Sequence, residues 1–150
     1  MRISKPLCMI GVSVFLLLGS SLQAQQCSPK TTVGKYLVVC NGYLSPGPNA
    51  PLLPAKGLET AVADEMGTFT GSGAFTLGGT IIADAVKGTE KLNPDCTGTI
   101  TFSHMFNGHP GPDSTDYFVV SKNGDQIDGI GIDPGSVMSC VLTREPEGKD

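Results

Sequence analysis

From Gly88 to Arg144 the chain alternates short apolar runs with polar breaks. Val, Ile, Thr, Tyr and Phe fill the runs. Asn93-Pro94-Asp95, Lys122-Asn123-Gly124-Asp125 and Asp133-Pro134-Gly135 divide them. This composition, with a period of two, predicts strands joined by tight turns. Over residues 98–106, Ile100, Phe102, His104 and Phe106 share one face, and Thr99, Thr101 and Ser103 the other. The first face is the predicted interior. Asn123-Gly124 is the strongest hairpin signal and pairs residues 116–121 with 126–132. Asp133-Pro134-Gly135 then turns the chain into a last strand over 136–144.

Upstream, residues 34–40 have the β-branched and aromatic density of a first strand. Pro46, Pro48, Pro51 and Pro54 follow and argue against a central strand there. Leu58, Ala61, Val62 and Glu65 fall at helical spacing and predict one short helix over 57–65, with a turn or a strand as the alternative. Residues 66–70 and 74–83 alternate around Gly71-Ser72-Gly73, which predicts a hairpin at that point. Gly78-Gly79 then reads as a bulge or bend within the second arm. Residues 88–93 supply one more strand, turned through Pro94-Asp95-Cys96 into 98–106.

Eight strands result, nearly all joined by short turns. A flat meander of this kind would leave two open edges, and closing the sheet removes both. The predicted fold is all-β: an eight-stranded antiparallel up-and-down β-barrel, wide enough for packed side chains or one small ligand. Residues 34–144 form the barrel, 25–33 an N-terminal arm and 145–150 a solvated tail.

The first 24 residues carry Arg2 and Lys5, an apolar run from Ile10 to Leu18 and a small residue at Ala24, the order of a signal peptide. The run is too short to cross a bilayer as a helix, so no membrane anchor is expected after cleavage. The expected location is secreted or periplasmic. Cleavage removes Cys8 and leaves Cys27, Cys40, Cys96 and Cys140. An even count in a small exported domain predicts two disulfides. Spacing cannot choose among the three pairings. Barrel closure, by setting the first strand beside the last, favours Cys40–Cys140 and leaves Cys27–Cys96 to pin the arm.

Without Arg2 and Lys5, eight basic residues stand against fourteen acidic ones, a net charge of −6. That balance, with no basic cluster, excludes an electrostatic case for nucleic acid. No C-x-x-C occurs, and His104 and His109 are the sole histidines, so neither zinc nor another cofactor is expected. G-x-S-x-G and the phosphate-cradling G-x-x-x-x-G-K are also missing.

Two side chains carry the candidate chemistry. Glu90 shares a face with Leu92 by strand parity. Turned inward, its carboxyl would be desolvated, raised in pKa and able to act as a general acid or base. Turned outward, the commoner placement for Glu, it would be a solvated surface charge. His104 lies on the apolar face of its strand. It reads either as a core or rim histidine bonded to backbone or as a polar anchor at a cavity mouth, orienting a ligand with Tyr36 or Tyr117. Phe102, on the same face, would supply apolar wall.

The stretch GTEKLNPDCTGTITF, followed by DYFVVSKNGDQIDGIGIDPGSV, resembles secreted bacterial proteins with an allene-oxide-cyclase-like barrel. The likeness spans about residues 66–144 and is most specific at Asn93–Thr99, with Gly34-Lys35-Tyr36 similar to the usual first strand. It implies an eight-stranded antiparallel barrel related to allene oxide cyclases and dirigent proteins, which hold small apolar molecules and in some cases steer a cyclisation. Glu90 departs from that pattern, standing where the group has a tyrosine. The expected function is an exported barrel that binds a small apolar or amphipathic molecule. A cofactor-free isomerase or cyclase, or a filled barrel serving as an interaction module, are the alternatives.

Overall fold

The computed structural model describes residues 26–47 and 49–146; the expected signal segment and most of the tail lie outside the described residues. A single turn of helix, α1 (Pro29–Thr32), precedes nine strands. These are β1 (Gly34–Leu44), β2 (Leu53–Ala63), β3 (Thr68–Leu77), β4 (Thr80–Leu92), β5 (Thr97–Phe106), β6 (His109–Pro110), β7 (Ser114–Val120), β8 (Gln126–Gly131) and β9 (Ser136–Arg144). The sheet order is β4-β3-β2-β1-β9-β8-β7-β5-β6, and β4 also pairs with β5. That last pairing closes the ring. The eight long strands form an antiparallel barrel, and β6 is a two-residue tab on the end of β5.

The first and last long strands, β1 and β9, pair side by side, with Cys40 directly opposite Cys140 in the register. These two cysteines are disulfide-bonded, as are Cys27 and Cys96. Closure therefore brings together residues 100 apart in sequence. Two disulfides fit an oxidising, extracellular environment.

Two predicted elements are corrected. Residues 57–65 do not form a helix: β2 runs through them, paired with β1 on one side and β3 on the other. The apparent helical spacing comes from apolar residues on both faces of a strand. Ala61 and Ala63 point into the core, whereas Leu58 and Val62 are exposed on the outer wall. Pro54 lies inside β2 but only at its second position, where its carbonyl accepts from the Gly78 N–H.

The hairpin predicted at Gly71-Ser72-Gly73 lies instead at Gly78-Gly79, both with positive φ. Gly71 and Gly73 sit in mid-strand because neighbours occupy the space a side chain would need. A Cβ on Gly71 would lie 2.9 Å from the Thr60 carbonyl oxygen, and one on Gly73 2.7 Å from Glu59 Cγ. Steric fit, not turn geometry, placed those glycines. The strand count still comes to eight, because residues 66–93 hold two strands instead of three while β2 adds one.

One end of the barrel is filled. Tyr36, Ala63, Phe69, Ile100, Phe118, Val120 and Ile127 form its core. Helix α1 caps this end, held by the Cys27–Cys96 bond and by the Cys27 N–H donating to the Pro94 carbonyl at 3.1 Å. The single proton of the fully buried Tyr36 hydroxyl is shared between the carbonyls of Thr32 (2.8 Å) and Gly124 (3.0 Å), and its oxygen accepts from Arg144 Nη2 (3.1 Å). Gly124, at φ +73°, leaves no room for a side chain beneath Thr31 and Arg144.

Candidate ligand-binding cavity

The other half of the barrel is hollow. A cavity of about 440 Å³ occupies it, within the usual range for sites that hold one small molecule. Apolar wall comes from Val38, Phe75, Ile82, Phe102, Phe106 and Leu142, and the Cys40–Cys140 disulfide borders the same space. Pro112 and Asp113 are exposed lining residues beside β7. The interior is therefore not fully packed with side chains.

A polar cluster interrupts the apolar wall. His104 points inward from β5, as the alternation of that strand predicts. Its Nδ1 shares a hydrogen bond with Asp84 Oδ2 at 2.9 Å, and its Nε2 with Ser114 Oγ at 2.8 Å. Each contact is a diagonal step across the ladder: Val86 is opposite His104 while Asp84 is two residues away, and Phe102 is opposite Ser114. The Asp84 side chain is almost fully buried, and its second oxygen, Oδ1, has no partner.

Glu59 on β2 completes this wall. In the register Glu59 is opposite Gly73, and Gly73 is opposite Asp84. The missing side chain at Gly73 leaves two carboxylates from separate strands facing the same space. Burial pushes the Glu59 carboxyl up to about 7, reinforced by the charge on Asp84 and opposed by His104. Asp116 on β7 is pushed up to about 6 by burial, then by Asp133, again with His104 opposing. Among the described residues no three of His, Cys, Asp and Glu are grouped so as to hold a metal ion.

The five candidate side chains separate. Phe102 and His104 line the cavity. Tyr117 does not: neighbours Asp116 and Phe118 take the inward positions, and Tyr117 is exposed on the outer wall. Tyr36 belongs to the filled end. Glu90 does point inward and is buried, so a surface placement is ruled out, but it too lies at the filled end. Thr32 Oγ1 donates to Glu90 Oε1 at 2.8 Å, and Oε2 has no partner. Burial raises the Glu90 pKa, with the Thr32 hydrogen bond opposing and Asp64 adding to the shift. Glu90 is thus a desolvated carboxyl that supports the α1 cap, remote from the cavity lining.

Glu59, Asp84, Ser114 and Asp116 were not singled out in the sequence. Strand parity would have found Asp84 once the hairpin is placed at Gly78-Gly79, because Ile82, Asp84, Val86, Gly88 and Glu90 then share a face. Glu59 was hidden by the helical reading of its segment. Comparison with family profiles, curated proteins and solved structures finds no match to the chain.

Proposed function

We propose that the protein is an exported barrel that binds one small amphipathic molecule in its interior. The observation that carries this reading is the half-hollow core: an apolar chamber of about 440 Å³ with one polar patch, Asp84–His104–Ser114, on its wall. Apolar surface supplies affinity, and a few fixed polar groups set orientation. A filled barrel serving only as an interaction module would have no reason to keep this space. The kinship to allene oxide cyclase and dirigent barrels belongs to the same proposal and rests on the resemblance at Asn93–Thr99, since an eight-stranded barrel alone does not identify that family.

The test uses N-phenyl-1-naphthylamine, a neutral apolar fluorophore. Saturable enhancement at one probe per chain is expected, with loss of binding when Ile82→Trp fills the chamber. Enhancement unaffected by Ile82→Trp would place the probe on the outer wall and overturn the reading. Native mass spectrometry of the purified chain should also show adducts of small mass.

One observation favours a second reading, a cofactor-free isomerase or cyclase. His104 is fixed between an acid and a hydroxyl, and Glu59 has its pKa near neutrality, as proton transfer at that pH requires. Under this reading His104→Ala and Glu59→Gln would reduce turnover far more than affinity.

A further inference from the structure

Resting on the binding reading above, we propose that the ligand is a cationic amphiphile: an apolar molecule with a single protonated amine, its charge set against Glu59 beside Asp84. The chamber is asymmetric in sign. Glu59, Asp84, Asp113 and Asp116 line it, and Asp133 lies behind Asp116, its carboxylate accepting from the Thr115 N–H. Among the described lining residues His104 is the one side chain able to carry positive charge, and both of its nitrogens are already engaged. No Lys or Arg is among the described lining residues. A fatty acid, sulfate or phosphate would therefore bring negative charge toward carboxylates with no counter-ion to meet it.

An independent observation points the same way. Asp84 is about 95% buried, lines the chamber and leaves Oδ1 without a hydrogen-bond donor. A buried carboxylate oxygen without a donor is costly, and a donor carrying positive charge is its best complement. Gly73 stands between Asp84 and Glu59 in the register, and the Glu59 side chain packs over it where a Cβ would otherwise sit. An ammonium group offers several N–H donors from one small centre, which suits a chamber lined by carboxylates from β2 and β4. Aromatic rings surround the same patch. Phe106 lies 5.1 Å and Phe102 6.3 Å from the His104 ring, and Phe75 packs edge-on against Phe106. Such faces are attractive to a cation and accept its apolar body.

Binding of this kind is linked to protons. Glu59 and Asp116 keep their protons to higher pH than free carboxyls. An arriving cation favours their ionised forms, so affinity rises with pH between about 5 and 8 and protons are released.

The experiment compares 4-phenylbutylamine, 4-phenylbutan-1-ol and 4-phenylbutanoate by titration calorimetry on the disulfide-bonded protein. At pH 7.5 the amine is expected to bind at least tenfold tighter than the alcohol, and the carboxylate weakest. At pH 5 the advantage of the amine should shrink severalfold. Glu59→Gln should weaken the amine at least fivefold while leaving the alcohol unchanged, a selectivity that a purely structural role for Glu59 would not produce. Equal or tighter binding of the alcohol or carboxylate overturns the inference and leaves the cavity reading standing. The same holds if Glu59→Gln changes amine and alcohol alike, or if the naphthyl probe binds and the amine does not. Failure of all three compounds together with the naphthyl probe overturns both.

Discussion

Asp84 and His104 meet inside the barrel at 2.9 Å, although twenty residues and a strand turn separate them in sequence. The contact satisfies one oxygen of a carboxylate that has no other partner. Removing the imidazole with His104→Ala strands the whole carboxylate in the wall. The expected loss of stability is about 3 kcal/mol at neutral pH, read by urea denaturation. Asp84→Asn in the same background should recover part of that loss, because the uncompensated charge is gone. A double variant less stable than His104→Ala alone would refute this account.

Glu59 makes stability depend on pH in an unusual direction. Its folded pKa is raised to about 7 from an ordinary value of 4.5, so the folded state holds this proton longer than the unfolded chain does. The corresponding stabilisation is complete below about pH 4.5 and is lost as pH rises through about 7. Asp116, raised to about 6, has the same sign over a lower window. The ligand-free protein should therefore be roughly 1–3 kcal/mol more stable at pH 5 than at pH 8 as far as these groups decide it. Glu59→Gln should match wild type at pH 4.5 and exceed it at pH 8. Carbon NMR of the Glu59 carboxyl gives the direct check, and a midpoint near 4.5 would contradict it.

Glu90 should behave similarly from the opposite end of the barrel, for a different reason. Burial under α1 is the main cause of its raised pKa. Glu90→Gln keeps the shape of the neutral acid, so it should equal wild type at pH 4 and be the more stable protein at pH 8. It should leave binding in the chamber untouched. An effect on ligand affinity as large as that of Glu59→Gln would show that the two ends are coupled.

The seam between β1 and β9 should be the costliest disulfide to lose. Replacing Cys40 and Cys140 by Ala opens a loop of about 100 residues, for which chain entropy alone predicts roughly 5 kcal/mol. Denaturant midpoints of the paired variant against wild type measure it. The ladder itself should survive, because Val39 and Val141 still pair beside the lost bond.

How much of this was legible before the structure depended on whether local pattern and long-range pairing agreed. They agreed over β5 to β9. Asn123-Gly124 falls in the connection between β7 and β8, though that connection is the five residues 121–125 and not a two-residue turn. Ile100 to Phe106 alternate cleanly, and closure puts Cys40 against Cys140. They disagreed over residues 53–83. There the outer wall carries exposed apolar residues such as Leu58, Val62 and Ile81, which blurs the period of two. Gly71 and Gly73 mimicked a turn because spacing cannot distinguish a glycine needed for φ from one needed for room. Two of the chamber's acids, Glu59 on β2 and Asp84 on β4, come from those very strands. His104 was legible as an inward histidine, but its partners Asp84 and Ser114 depend on register, which no single segment carries.

Tyr36, Thr32 and the Cys27–Cys96 bond seal the lower end of the barrel, and this determines the route of any guest. A molecule held in the chamber would be closed off on that side, while Pro112 and Asp113 carry the lining out to solvent. Substitutions in the segment before β7 would therefore change the wall of the chamber and its contact with solvent together.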